Sequence, residues 1–149
     1  MLCVTYYDLK EREIRSLERI EENFLRKLLK TGVGCPITQL YLEVGQIPGR
    51  FEIIKMRLIF LRNILNEDKT SRIYQFFEAQ EKHPRKGDWV SMCKMNIEEL
   101  KLELTLQEIK EITKTRLKNK LGLSCAKLSL AKAKLPTSLS SKQLKLATN

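Results

Sequence analysis

Apolar residues recur along most of this chain at spacings of three and four, the repeat that lays a stripe along one side of an α-helix. Ile14, Leu17, Phe24, Leu25, Leu28 and Leu29 form the first stripe. Asp8 followed by Glu11 is the expected capping pair at its start. Gly32 and Gly34 are its expected stop, because glycine enters the left-handed cap without steric cost. A short second helix is expected from Pro36 to Gly45. A third begins at Pro48, whose missing N–H has no helical partner in a first turn anyway. After a polar turn at Asn66 to Thr70, a fourth helix carries Ile73, Tyr74, Phe76, Phe77 and Ala79 and ends before Pro84. The loop His83 to Asp88 leads into a fifth, with Asp88 as N-cap and Trp89, Met92, Cys93, Ile97 and Leu100 as its apolar positions. Thr105 and Glu108 make a capping box for a sixth helix running through Ile109, Ile112 and Leu117, its outer surface bearing Lys110, Lys114, Arg116, Lys118 and Lys120.

The third helix is patterned differently from the others. Phe51, Ile54, Leu58, Leu61 and Leu65 form one stripe; Ile53, Met56, Phe60 and Ile64 form another. At 100° per residue the two lie about 120° apart, too far for one neighbour to cover both. This predicts a central brace with packing on two sides. Arg50 and Arg57 project between the stripes, where arginines keep their stems on apolar surface and their heads in water or on a carboxylate; direct phosphate contact is the competing use. Glu52, Lys55, Arg62, Asn63 and Asn66 fill the expected solvent side.

The pattern therefore predicts an all-α fold: an irregular bundle of about six helices over residues 1–121. Residues 122–149 read as a basic tail of low order. Leu123 to Leu135 is rich in Lys, Leu and Ala; Pro136 to Asn149, rich in Ser, Thr and Lys, is expected to be disordered.

Charge sharpens this division. The chain has 149 residues and a net charge of +10. Met1 to Leu104 contributes only +2 of it, and Thr105 to Asn149 contributes +8. A basic segment of this kind suits a polyanion, nucleic acid being the commonest partner. Lys114, Arg116, Lys118 and Lys120, then Lys127, Lys132 and Lys134, are the candidates for neutralising phosphates, with Arg85 and Lys86 second. Tyr74, Phe76, Phe77 and Trp89 are interleaved with Arg85 and Lys86 and could stack on bases, but their helical spacing favours use in the core.

Candidate chemistry is sparse. Cys3, Cys35, Cys93 and Cys125 lie about thirty or more residues apart, without the close pairing of a zinc knuckle, and read as free thiols in a reducing compartment. His83 has no ligand partners at suitable spacing. Gly32-Val33-Gly34 lacks the third glycine of a phosphate loop. The acid pairs Glu21-Glu22 and Glu98-Glu99 diverge by about 100° on a helix, so neither pair can share a proton or a metal; they read as solvated faces. Met1 to Val4 is followed at once by charged residues, so no secretory signal is expected, and Phe51 to Leu65 is too short and too charged to cross a bilayer. An intracellular chain, cytoplasmic or nuclear, without catalytic residues, metal or cofactor is the expectation.

The segment QLYLEVGQIPGRFEIIKMRLIFLRNILNEDKTSRIYQFFEAQEKHPRKGDW resembles the stretch that follows the polymerase domain in reverse transcriptase polyproteins of non-LTR (LINE-type) retrotransposons. There the pattern runs aLYLElGxiPirfiIkxRRLxyLxxIL, then IYkffxAQxxnPxkgDW. SLERIEENFLRKLL before it and IEELKLELTLQEIKEITKTRLKNK after it extend the similarity to roughly Leu9 to Lys120. The resemblance implies an α-helical linker behind the thumb, which in some elements leads toward a zinc knuckle and a restriction-like endonuclease. It also implies two partner classes. One is RNA or target DNA, held without sequence preference on a basic face. The other is the polymerase or endonuclease domain of the same element, on which the apolar stripes would dock.

This chain departs from the family pattern in several places. No two aspartates are adjacent, so the Tyr/Phe-x-Asp-Asp metal site of the polymerase is missing. Gly49 replaces a usually apolar residue and Glu52 interrupts an apolar or basic segment, both expected to loosen the start of the third helix. The sequence after Leu121 does not follow the pattern, as in an isolated fragment of an element.

Overall fold

The computed structural model describes residues 9–132, and these are all-α. Seven helices occur among the described residues: α1 (Glu11–Leu28), α2 (Ile37–Glu43), α3 (Gly49–Leu65), α4 (Arg72–Lys82), α5 (Trp89–Glu99), α6 (Leu106–Glu111) and α7 (Lys114–Lys132). They divide into two compact units. A mid-chain unit is built from residues 53–121, and a flanking unit from residues 9–52 together with 122–132. Both α3 and α7 contribute to each.

In the flanking unit, α1 is capped at Lys10, whose N–H donates to Glu13 Oε2 at 2.7 Å. The expected cap residue Asp8 lies outside the described residues. The expected glycine stop is not used. Lys30 takes the left-handed conformation (φ 51°), and Lys30 N–H to Lys27 O (3.3 Å) and Thr31 N–H to Arg26 O (3.0 Å) close the paired bonds of a Schellman ending. The helix thus ends before either glycine is reached. At the end of α2, Gly45 (φ 65°) makes the same arrangement, with Gly45 N–H to Leu42 O at 3.1 Å and Gln46 N–H to Tyr41 O at 3.0 Å.

Leu25, Leu40 and Tyr41 form the buried cluster of this unit, with Leu29, Cys35, Ile37 and Val44 packed on it. The first stripe is only half used. Ile14 and Leu25 are buried and Leu29 is half-buried, but Leu17, Phe24 and Leu28 stand exposed, Phe24 at 60%, as does Ile20 on the same helix. The apolar arc of α1 spans about 140°, wider than a single neighbour covers, so the covered and uncovered residues lie side by side on one helix.

Glu21 is not a solvated acid either. Its Oε2 accepts from Tyr41 Oη at 2.8 Å and from Gly49 N at 3.0 Å, which holds the start of α3 instead of loosening it. Arg50 donates from Nη1 and Nη2 to the two carboxylate oxygens of Glu11, at 2.9 and 2.7 Å. That bidentate pair is the expected carboxylate partnership of Arg50.

The mid-chain unit is organised on residues 53–65 of α3. Ile53, Ile54, Leu58, Leu61, Ile64 and Leu65 are buried. The second stripe of α3 finds cover inside this unit: the Phe60 and Trp89 rings meet edge to face at 5.6 Å. Arg57 does not keep its head in water. Its side chain is 2% exposed, reachable by neither water nor a phosphate in solution, and Nη1 donates to Asn96 Oδ1 at 3.3 Å. The solvent side is also less exposed than its composition suggests, since Glu52, Lys55 and Arg62 are half-buried.

Three helix starts in this unit are capped by side chains, at Asp88 and Thr105 as expected and at Ser71 besides. Ser71 Oγ accepts from Tyr74 N, Asp88 Oδ1 from Ser91 N, and Thr105 Oγ1 from Glu108 N, while Thr105 N–H donates back to Glu108 Oε2 at 2.7 Å. The fifth helix ends as the first does, with Lys101 left-handed at φ 50° and Leu102 N–H donating to Ile97 O at 3.0 Å.

The expected sixth helix is two helices. Backbone at Ile112 turns extended (ψ 140°), and Thr113 starts α7 by accepting Arg116 N–H on Oγ1 at 3.3 Å. Side chains from the end of α3 satisfy the carbonyls this break frees. Arg62 Nε donates to Ile112 O at 2.6 Å, and Asn66 Nδ2 donates to Lys110 O at 3.1 Å. Beyond it, α7 runs without interruption through Leu121 and Gly122 to Lys132. Residues 122–132, expected as low-order chain, are therefore helical, and the rest of that expected tail lies outside the described residues.

Candidate nucleic-acid interface

The first turns of α7 place four cations within the mid-chain unit. Lys114, Arg116, Lys118 and Lys120 are all exposed. Among the described residues none of them forms an ion pair, in contrast to Arg15, Arg26, Arg50, Lys82 and Lys94, which are paired with carboxylates. Lys120 does sense Glu108, whose carboxyl is held below the usual range chiefly by the Thr105 backbone N–H and hydroxyl, with Lys120 adding a smaller effect.

The four do not share one face. At 100° per residue, Lys114 and Lys118 lie about 40° apart, and so do Arg116 and Lys120, but the two pairs point to opposite flanks of the buried Leu117 and Leu121. A polyanion would touch one flank or wrap the helix.

The remaining candidates are scattered. Arg85 and Lys86 are exposed in the turn before α5, where Arg85 N–H donates to Asp88 Oδ2 at 2.8 Å and Gly87 takes φ 85°. Lys127 is exposed on the part of α7 that belongs to the flanking unit. Lys132 is the last described helical residue; its side chain and all of Lys134 fall outside the described set.

The aromatic–basic interleaving resolves residue by residue. Phe77 is buried and lies 6.1 Å from the Tyr74 ring, as core use requires. Phe76 is not core: it is 67% exposed. Together with Phe60, Ile73, Phe77 and Trp89 it lines a groove of about 380 Å³ in the mid-chain unit. Helical spacing alone separated these two phenylalanines poorly, because adjacent residues sit about 100° apart and either could face inward.

The thiols and acids offer no further site. Cys35 and Cys93 carry free thiols, Cys125 is buried, and Cys3 lies outside the described residues. Burial pushes the Cys93 thiol up to about 12, against a smaller lowering by Arg57. Among the described residues no three His, Cys, Asp or Glu side chains are grouped to hold a metal ion, and no helix is long and apolar enough to cross a membrane. The exposed Leu17, Ile20, Phe24 and Leu28 of α1 make a second candidate surface, apolar instead of basic. No protein-family model, curated protein or solved structure matches this chain.

Proposed function

We propose that this chain is a non-catalytic helical region of the kind that follows the polymerase in non-LTR retrotransposon reverse transcriptases, and that it holds RNA or DNA through the cations of α7. The observation that carries the reading is the contrast in charge use. Lys114, Arg116, Lys118 and Lys120 stay exposed without ion pairs among the described residues, all four within seven residues of one helix, while Arg15, Arg26 and Arg50 of the flanking unit are tied to carboxylates. Unneutralised cations clustered on one short helical stretch suit phosphates better than they suit the fold, since cations near a helix N-terminus oppose its dipole.

A salt titration tests it. Each phosphate neutralised contributes about 0.9 to the slope of log affinity against log salt on duplex DNA and about 0.7 on single strands. Replacing the four cations by alanine should lower the slope by two to three of these increments, the two-flank arrangement keeping all four from engaging at once. Absence of binding at low salt, or a slope unchanged by the replacements, removes the reading.

A second reading is favoured by a different observation. Leu17, Ile20, Phe24 and Leu28 stand exposed together along one side of α1, a contiguous apolar stripe that suits docking on a polymerase or endonuclease domain. Concentration-dependent self-association of the isolated chain, abolished by Phe24→Glu, is its expected signature. A clean monomer at high concentration that binds no apolar dye speaks against it.

A further inference from the structure

We infer that the groove lined by Phe60, Ile73, Phe76, Phe77 and Trp89 takes an unpaired nucleobase of single-stranded nucleic acid, with Phe76 as its stacking platform. This rests on the nucleic-acid reading above and adds to it a second contact, one made by bases in place of phosphates.

Three features favour a base as the occupant. The first is flat apolar surface left in water. Phe76 is 67% exposed and Ile73 is exposed beside the groove, while Phe60 holds the Trp89 ring edge to face at 5.6 Å and so fixes the opposite wall. A nucleobase offers a π-face of matching size, and such stacking tolerates any base.

The second is an unspent donor. Trp89 Nε1 is buried with no hydrogen-bond partner among the described residues. This N–H is closed to solvent, so a base meets it only once the half-buried indole lining the groove shifts; every base then offers a carbonyl or ring-nitrogen acceptor. The neighbouring polar groups are already engaged. Gln80 Oε1 accepts from Val90 N at 3.2 Å, and the Asp88 carboxylate accepts from Arg85 N at 2.8 Å and Ser91 N at 2.7 Å.

The third is charge. Arg72 precedes Ile73 at the start of α4, and Arg85 and Lys86 lie in the turn that ends at Asp88. All three are exposed and form no ion pair among the described residues. Cations around an aromatic groove suit the phosphates on either side of an inserted base; an apolar peptide would have no use for them. A base inside a duplex is already stacked, so the groove selects single strands.

Trp89 is the sole tryptophan of the chain, so its emission reports this groove directly. The full chain is titrated with three probes of equal charge: an oligothymidylate, the same backbone without bases, and a duplex. Binding is followed by anisotropy of a labelled strand alongside Trp emission. The oligothymidylate should quench Trp89 and bind about tenfold or more tighter than the abasic strand, which binds without quenching. Phe76→Ala, at an exposed position that the fold does not need, should erase that difference and leave abasic binding unchanged. Equal affinity and equal emission change with all three probes overturn the inference while leaving phosphate binding intact. Quenching by an apolar peptide but not by the oligothymidylate reassigns the groove and overturns it too. No binding of any probe at low salt overturns this inference and the nucleic-acid reading together.

Discussion

Glu21 stands so close to Gly49 that a side chain there fits only if the carboxylate moves: its oxygen accepts the Gly49 N–H at 3.0 Å, and a Cβ at Gly49 would lie 2.9 Å from it. The same oxygen accepts from Tyr41 Oη at 2.8 Å, so one acid ties α1 to α2 and to the start of α3. Gly49→Ala should therefore destabilise by about 1 kcal/mol, because moving the carboxylate loses hydrogen bonds worth more than alanine's gain in helix propensity. In a Glu21→Ala background the same substitution should become neutral or favourable. Urea unfolding of the four proteins of that cycle measures the coupling, and additive effects would refute it.

Lys30 and Lys101 both occupy the left-handed region, at φ 51° and 50°, where a Cβ is strained. Gly45 shows the strain-free version of the same helix ending. Lys30→Gly and Lys101→Gly should each stabilise by about 0.5–1 kcal/mol, net of the extra freedom glycine gives the unfolded chain. Chemical denaturation reads this directly.

Arg57 is a buried cation whose guanidinium donates to Asn96 Oδ1 at 3.3 Å. Asn96→Ala should cost about 2–3 kcal/mol, since it removes an acceptor from a charge that cannot reach water. Arg57→Met, which keeps the stem's packing and removes the charge, should cost less than Arg57→Ala. A larger loss with methionine than with alanine, measured in urea, would contradict this account.

The Arg50 guanidinium beside Glu11 holds that carboxyl below its usual range, against a smaller raising by partial burial. A depressed folded-state value means the pair's stabilisation is present above the unfolded glutamate pKa of about 4.3 and is lost as pH falls through the lower folded value. Arg50→Met should therefore lower stability at pH 7 by about 0.5–1 kcal/mol, and the gap to the parent should be smaller at pH 3. Thermal melts at both pH values check the sign.

The Cys93 thiol, pushed up to about 12 by burial, is in its unreactive protonated form at pH 8. Partly exposed Cys35 should react with a thiol reagent well ahead of it. Cys93 labelling should track global unfolding, and rapid modification of Cys93 in the native protein would show that its site opens locally.

Helix starts were the most legible part of the sequence, because a cap needs only one side chain at a fixed offset, as Asp88 and Thr105 illustrate. Helix ends were harder to read. The stop at Lys30 depends on a backbone conformation that its side chain does not advertise, and the break at Ile112 is held by Arg62, fifty residues earlier in the chain. Burial was legible where apolar stripes were redundant, as along α3. It was not legible for Arg57, whose long side chain fits a core or a surface equally well by pattern. Nor was it legible for α1, whose apolar arc gave no sign of which half would be covered. Among the candidate cations, the charge asymmetry located Lys114 to Lys120 but could not show that they point to two flanks.

The break between α6 and α7 gives Arg62 a role beyond capping. A helix interrupted at one residue leaves at an angle set by whatever holds that residue, and here Ile112 O is held by Arg62 Nε at 2.6 Å. The aim of the cationic helix within its unit is thus decided on α3, by a half-buried side chain fifty residues before the break.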